Sequence, residues 1–172
     1  MFDLEITNTL NEFEKIISDL KKQNDGTSLN FLDLVYLNPY TEIIKKTTKL
    51  YDFRDKKQLK KWLKENFGKF KNEIHEFYIV GLTNNIRNGL DLSLELKRIY
   101  NYIWGLYYRN IQIYGLFFGK WTDEKGNVFV DLSVITFNKN HAIEIAIENQ
   151  QKTILAIDLT KKNYMKFIDV NK

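Results

Sequence analysis

The hydrophobic period of the chain changes once, near residue 110, and that change limits the folds open to it. Up to Tyr107 most apolar residues recur at helical spacing, whereas Asn110 to Trp121 reads as β-strand. The run Gly119 to Ser133, GKWTDEKGNVFVDLS, sets an Asp-Glu-Lys-Gly-Asn turn between two apolar or aromatic segments, which is a hairpin signal. NKNHAIEIAIENQ, Asn138 to Gln150, follows as an amphipathic helix with Ala142, Ile143, Ala146, Ile147 and Gln150 on its expected inner face. KTILAIDL, Lys152 to Leu159, reads as a short apolar strand. Lys161-Lys162-Asn163 reads as a turn, and Tyr164 to Val170 as a last strand. Gly115 and Gly119 mark bulges or sites of close approach.

Upstream, Thr7 or Asn8 is placed to cap a first helix carrying Leu10, Phe13, Ile16, Ile17 and Leu20, stopped by Asn24-Asp25-Gly26. A second apolar stretch, Leu29 to Tyr36, ends before Pro39, and a short helix is expected from Tyr40. Asp55 can cap a helix with Leu59, Trp62, Leu63, Phe67 and Phe70 on one side, bent or ended by Gly68. EIHEFYIVGL, Glu73 to Leu82, is open between helix and strand. Asn84-Asn85 and Asn88-Gly89 mark turns, and Ser93 is placed to cap a further helix through Tyr107. The expected fold is therefore α+β: a helical N-terminal two-thirds followed by a small antiparallel β-sheet with one packed helix. It is expected as one domain over residues 1–172, mainly helical in 1–108 and β-hairpin-helix-strand in 109–172.

Hydrophobic residues at 44% suffice for a core, and a single Pro argues against a long linker. The chain has no Cys, which excludes disulfides, thiolate zinc sites and thiol catalysis. The start MFDLEITNTLNEFEKII lacks the basic-then-apolar order of a signal peptide, and no window approaches 18 uninterrupted apolar residues. A cytoplasmic protein with no membrane contact is expected. No phosphate-binding glycine loop, dinucleotide fingerprint or serine-hydrolase elbow occurs, and no cofactor is expected.

Net charge is +4, and the excess sits between Tyr51 and His75, where 8 basic residues face 4 acidic ones. Lys56, Lys57, Lys60, Lys61 and Lys64 lie on the flanks and outer face of the Asp55-capped helix, and such a face suits a polyanion because each ammonium beside a phosphate releases counterions. Trp62 on this segment can either stack on a base or pack in the core. Aromatic residues are abundant (12 Phe, 10 Tyr and 3 Trp). Their exposed part offers a second kind of surface, one for a host protein or a second copy of the chain.

A metal-dependent nuclease needs two or three acids converging on a divalent ion. Asp91, Glu95 and Lys97 in GLDLSLELK carry a Glu-x-Lys, but only three residues separate the acids and the stretch reads as helix. Asp123, Asp131 and Asp158 lie near strand ends, with Asp131 expected to point outward. His141, Glu144 and Glu148 share a helix face without a second His. No metal site is expected from either set.

The order Gly119-Lys120-Trp121-Thr122-Asp123, Gly126, Val130-Asp131-Leu132-Ser133, then Ala142, Ala146, Asn149-Gln150 and Ile154 resembles a C-terminal module of uncharacterised proteins encoded by phages and other mobile elements. Its pattern is Gly-x-Trp-x-Asp, Gly, Val-Asp-x-Ser and an Ala-spaced helix ending in Asn-x-Gln. The likeness covers about residues 115–159, and either Gln150 or Gln151 fills the last position. The resemblance implies a viral or mobile-element accessory protein and brings no catalytic residues. The expected function is non-enzymatic binding of nucleic acid or a host protein, such as a defence factor. The nucleic acid would be held through Lys56, Lys57, Lys60, Lys61, Lys64 and Trp62; a metal-dependent nuclease using some of Asp91, Glu95, Asp123 and Asp131 is the alternative.

Overall fold

The computed structural model describes residues 6–30, 50–68 and 73–171. In chain order its elements are α1 (Ile6–Lys21), β1 (Thr27–Asn30), β2 (Leu50–Asp52), α2 (Lys56–Phe67), β3 (Glu76–Gly81), α3 (Gly89–Tyr108), β4 (Tyr114–Thr122), β5 (Val128–Thr136), α4 (Lys139–Glu148), β6 (Thr153–Asp158) and β7 (Met165–Asp169). The seven strands form one antiparallel sheet in the order β2-β1-β4-β5-β3-β6-β7. The protein is α+β, but the expected helical first two-thirds does not hold. β1, β2 and β3 all lie before residue 82, and the sheet joins them to the four later strands. Most of the Leu29–Tyr36 stretch, Pro39 and the helix expected from Tyr40 lie outside the described residues.

Helices cover both faces of the sheet. One core joins Phe13, Ile17 and Leu20 of α1, the inner side of α3, and Ala142, Ile145 and Ala146 of α4 to Val80, Phe118 and Leu132 of the sheet. The other core lies under α2, where Leu59, Trp62, Leu63 and Phe67 meet Phe77, Phe117, Ile135 and Ile157. β3 serves both, because Tyr78 and Val80 enter the first and Phe77 the second. A strand buried on both faces shows no simple alternation, which is why its sequence left helix and strand open.

The C-terminal half follows the expected order. Asp123 accepts the N–H groups of Lys125 and Asn127 at 2.9 and 2.8 Å and so shapes the hairpin turn, which Gly126 completes at φ +84°. Gly115 sits at a register shift between Tyr114 and Leu116 with φ +72°. A side chain there would be strained and would strike the Phe117 ring. α4 is turned relative to expectation: Ala142, Ile145, Ala146 and Asn149 are buried, while Ile147 is exposed. The alternation in AIEIAIE makes two neighbouring helix faces look equally apolar, so its spacing alone did not choose between them.

α3 starts at Gly89 rather than near Ser93. Asn88 is its cap, its side-chain oxygen accepting the Asp91 N–H at 2.9 Å. Asn88→Ala is expected to cost about 1 kcal/mol and to lower the melting temperature by about 2–4 °C in a chain of this size. An unchanged thermal melt would show that the cap contributes nothing.

Candidate nucleic-acid interface

α2 begins at Asp55, whose carboxylate accepts the Lys57 N–H at 3.0 Å, and it ends at Gly68. Its apolar side is consumed by the sheet. The outer side carries Lys57, Lys60, Lys61 and Lys64, all exposed. Lys61 lies 3.9 Å from Glu65, an exposed pair one turn apart that contributes little. Among the described residues no carboxylate pairs with Lys57, Lys60 or Lys64.

Lys56 is placed differently. Its Nζ donates to the Lys161 carbonyl at 3.3 Å and lies 5.6 Å above the centre of the Tyr164 ring. Tyr164 in turn donates its hydroxyl to the Phe53 carbonyl at 2.8 Å. These contacts bring the exposed turn containing Lys161 and Lys162 against the start of α2, and so widen the basic surface beyond the helix. Sequence spacing could not show this, because more than 100 residues separate the two segments.

Of its two readings, Trp62 takes the second. It is 1% exposed and packs against Phe53, Phe67, Phe77 and Phe117 with ring centres 5.5–6.1 Å apart. It is removed from the base-contacting set. Two aromatic side chains on this face of the sheet do reach solvent, Trp121 at 45% and Phe167 at 72% exposure.

The acids considered for a nuclease do not come together. Asp91 binds Arg87 at 3.0 Å, and Glu95 binds Arg98 at 2.7 Å. Asp123 is occupied by its turn, and Asp158 accepts from Thr160 and lies 3.7 Å from Lys161. Among the described residues no three His, Asp or Glu side chains are grouped as metal ligands would be. His141 lies in the first turn of α4, while Glu144 and Glu148 hold Arg109 at 3.1 and 2.7 Å. The Arg109 contact keeps the Glu148 carboxyl below its usual range, against partial burial, which acts to raise it. Burial and Glu148 both push the Tyr102 hydroxyl up.

Trp121, Asp131, Asn149 and Gln151 of the Gly-x-Trp-x-Asp to Asn-x-Gln pattern gather at the segment after β3. Trp121 Nε1 donates to Asp131 Oδ2 at 2.7 Å, and Thr83 Oγ1 donates to Asp131 Oδ1 at 3.1 Å. The same hydroxyl accepts the Leu132 N–H at 3.0 Å. Gln151 Nε2 donates to the Thr83 carbonyl at 3.0 Å, so Gln151 rather than Gln150 makes the inward contact. Gln150 instead takes φ +57° at the end of α4. Arg98 donates to Asn149 Oδ1 at 3.1 Å and also to the Leu82 carbonyl. Asp131 points out of the first core, as expected, but is largely covered. Loss of water raises its pKa to about 6 even though Trp121 and Thr83 hydrogen-bond its charged form. Trp121, Asp123, Asp131, Asn149 and Gln151 of the pattern thus each satisfy a polar group of the fold. None of the described helices is long and apolar enough to cross a membrane. Set against known proteins, the chain matches no protein family, no curated protein and no solved structure.

Proposed function

We propose that this chain is a non-enzymatic binding protein that engages nucleic acid through the lysine face of α2 and the adjoining Lys161-Lys162 turn. The observation that carries the reading is the placement of Lys57, Lys60, Lys61 and Lys64 on one solvent-facing side of a rigidly packed helix, three of them without a described acidic partner. Lysines on a rigid helix can meet phosphates without a loop having to be ordered first. The resemblance to mobile-element proteins supports placing the activity inside a host cell, as an accessory factor that counters host defence.

A gel shift or polarisation titration over several salt concentrations tests this. Four to five neutralised phosphates give a slope of log affinity against log salt of about −4 on duplex DNA. The double variant Lys60→Glu, Lys61→Glu should bind at least about tenfold more weakly and lose about 2 from that slope. Salt-independent binding, or a variant that binds like the wild type, removes the reading.

A second surface supports the host-protein alternative. At the end of α3 Tyr108 is 73% exposed, with its ring 5.7 Å from that of Trp104, and Leu90 and Leu94 are also exposed on this helix. A partner held there would bind in a salt-tolerant way and be lost on Tyr108→Ala.

A further inference from the structure

We propose that the nucleic acid is single-stranded, with a base stacked on Trp121; this rests on the charge-based reading of α2 and adds to it. Along β4, Phe117, Gly119 and Trp121 point to the same side of the sheet, because side chains alternate. Phe117 lies under α2, with its ring centre 5.5 Å from that of Trp62. Trp121 is four residues further along the same side, about 13 Å away at the rise of an extended strand. The basic helix and Trp121 therefore share one face of the molecule.

Trp121 is built as a platform. It is 45% exposed. One side of the indole lies on Phe129, its direct cross-strand neighbour, with ring centres 4.3 Å apart and planes inclined by 13°. Its N–H is held by Asp131 at 2.7 Å, and Asp131 is itself held by Thr83. An exposed indole fixed at both its face and its N–H has already lost the freedom that stacking on a ligand would otherwise remove.

Arg54 joins the two parts. It directly precedes the Asp55 cap of α2, and its side chain lies across Gly26, in the space a Cβ there would need. The Gly26 N–H donates to the Lys120 carbonyl at 2.9 Å, which brings Arg54 beside the strand that carries Trp121. The Arg54 side chain is 51% exposed, 3.7 Å from Asp52, and its charge also reaches Asp25. A basic helix and Arg54 on the same face as a flat, sequence-tolerant aromatic surface fit an unpaired strand, whose bases are free to stack; in a duplex they are already stacked on one another.

The test compares a single-stranded 12-nucleotide DNA with its duplex, on the full chain, by fluorescence polarisation at several salt concentrations. Trp121→Ala should weaken single-strand binding by roughly 5- to 100-fold, leave duplex binding within about twofold and keep the salt slope. Trp121→Phe, which retains a ring, should recover most of the loss. Single-strand addition should also quench tryptophan emission in Trp104→Phe but not in Trp121→Phe, a readout that general destabilisation would not reproduce. If both DNA forms bind with the expected salt slope and Trp121→Ala changes neither, or if quenching survives in Trp121→Phe, the stacking inference is overturned and the α2 reading stands. If neither form binds in a salt-dependent way, both fall.

Discussion

Replacing Trp62 with alanine is expected to lower the melting temperature by about 6–20 °C, more than any other single change proposed for this protein. Trp62 is at the centre of the core under α2, where four aromatic rings close on it. Truncating a buried Trp typically costs about 3–5 kcal/mol, and each kcal/mol moves the midpoint of a domain this size by about 2–4 °C. Trp62→Phe should fall between the wild type and Trp62→Ala, since it keeps edge-to-face contacts but leaves a smaller void. Circular dichroism melts of the three proteins decide the matter. A Trp62→Ala protein that melts with the wild type yet binds DNA poorly would return Trp62 to the surface and reverse the assignment made above.

The Asp131→Asn variant is expected to be more stable than the wild type at pH 8 and to lose that advantage in acid. Burial raises the folded-state pKa of Asp131 from 3.8 to about 6. The folded protein therefore holds this proton more tightly than the unfolded chain does. The associated stability is complete below about pH 4 and is lost as the pH rises through about 6. The full shift corresponds to about 3 kcal/mol; the side chain keeps some contact with water, so about 1–2 kcal/mol is expected. Asparagine retains an oxygen for the Trp121 N–H and offers an amide to the Thr83 hydroxyl, so it removes the charge without removing either partner. Several other carboxylates, among them Asp25, Asp91 and Glu148, have lowered pKa values and destabilise the fold as acid protonates them. They act equally in both proteins, so the difference between the two urea curves from pH 4 to pH 8 reports Asp131. A variant weaker than the wild type at pH 8 would mean that the charged form is the favoured one.

How far the sequence could be read depended on whether the signal was local. The β4–β5 hairpin, α4 and β6 were legible because turn residues and changes of period lie next to one another in the chain. α2 was legible from Asp55, Gly68 and the apolar spacing between them, and its lysine face follows from the same periodicity. β1 and β2, at four and three residues, are too short to display any period. Their places beside β4 come from pairing across the sheet. The role of Trp62 was left open because a Trp beside lysines satisfies both a core pattern and a binding pattern, and only the opposing rings of Phe77 and Phe117 decide between them. The exposure of Trp121 is not legible in the sequence for the converse reason. Its exposure depends on where α2 stops covering the sheet, and no neighbouring residue encodes that.

The position of β3 has a consequence for how the protein is made. Residues 76–81 lie between β5 and β6, so the Gly115–Leu159 stretch does not form a continuous sheet when cut out of the chain. On the ribosome, β3 emerges long before either neighbour and gains its second one only once Asp158 is free of the exit tunnel. Its exposed edges, Phe77 and Tyr78 included, must wait through the synthesis of nearly eighty further residues. Such late, long-range closure favours slow folding and early capture by chaperones, and it makes the nascent chain most vulnerable to aggregation in the interval before β5 and β6 appear.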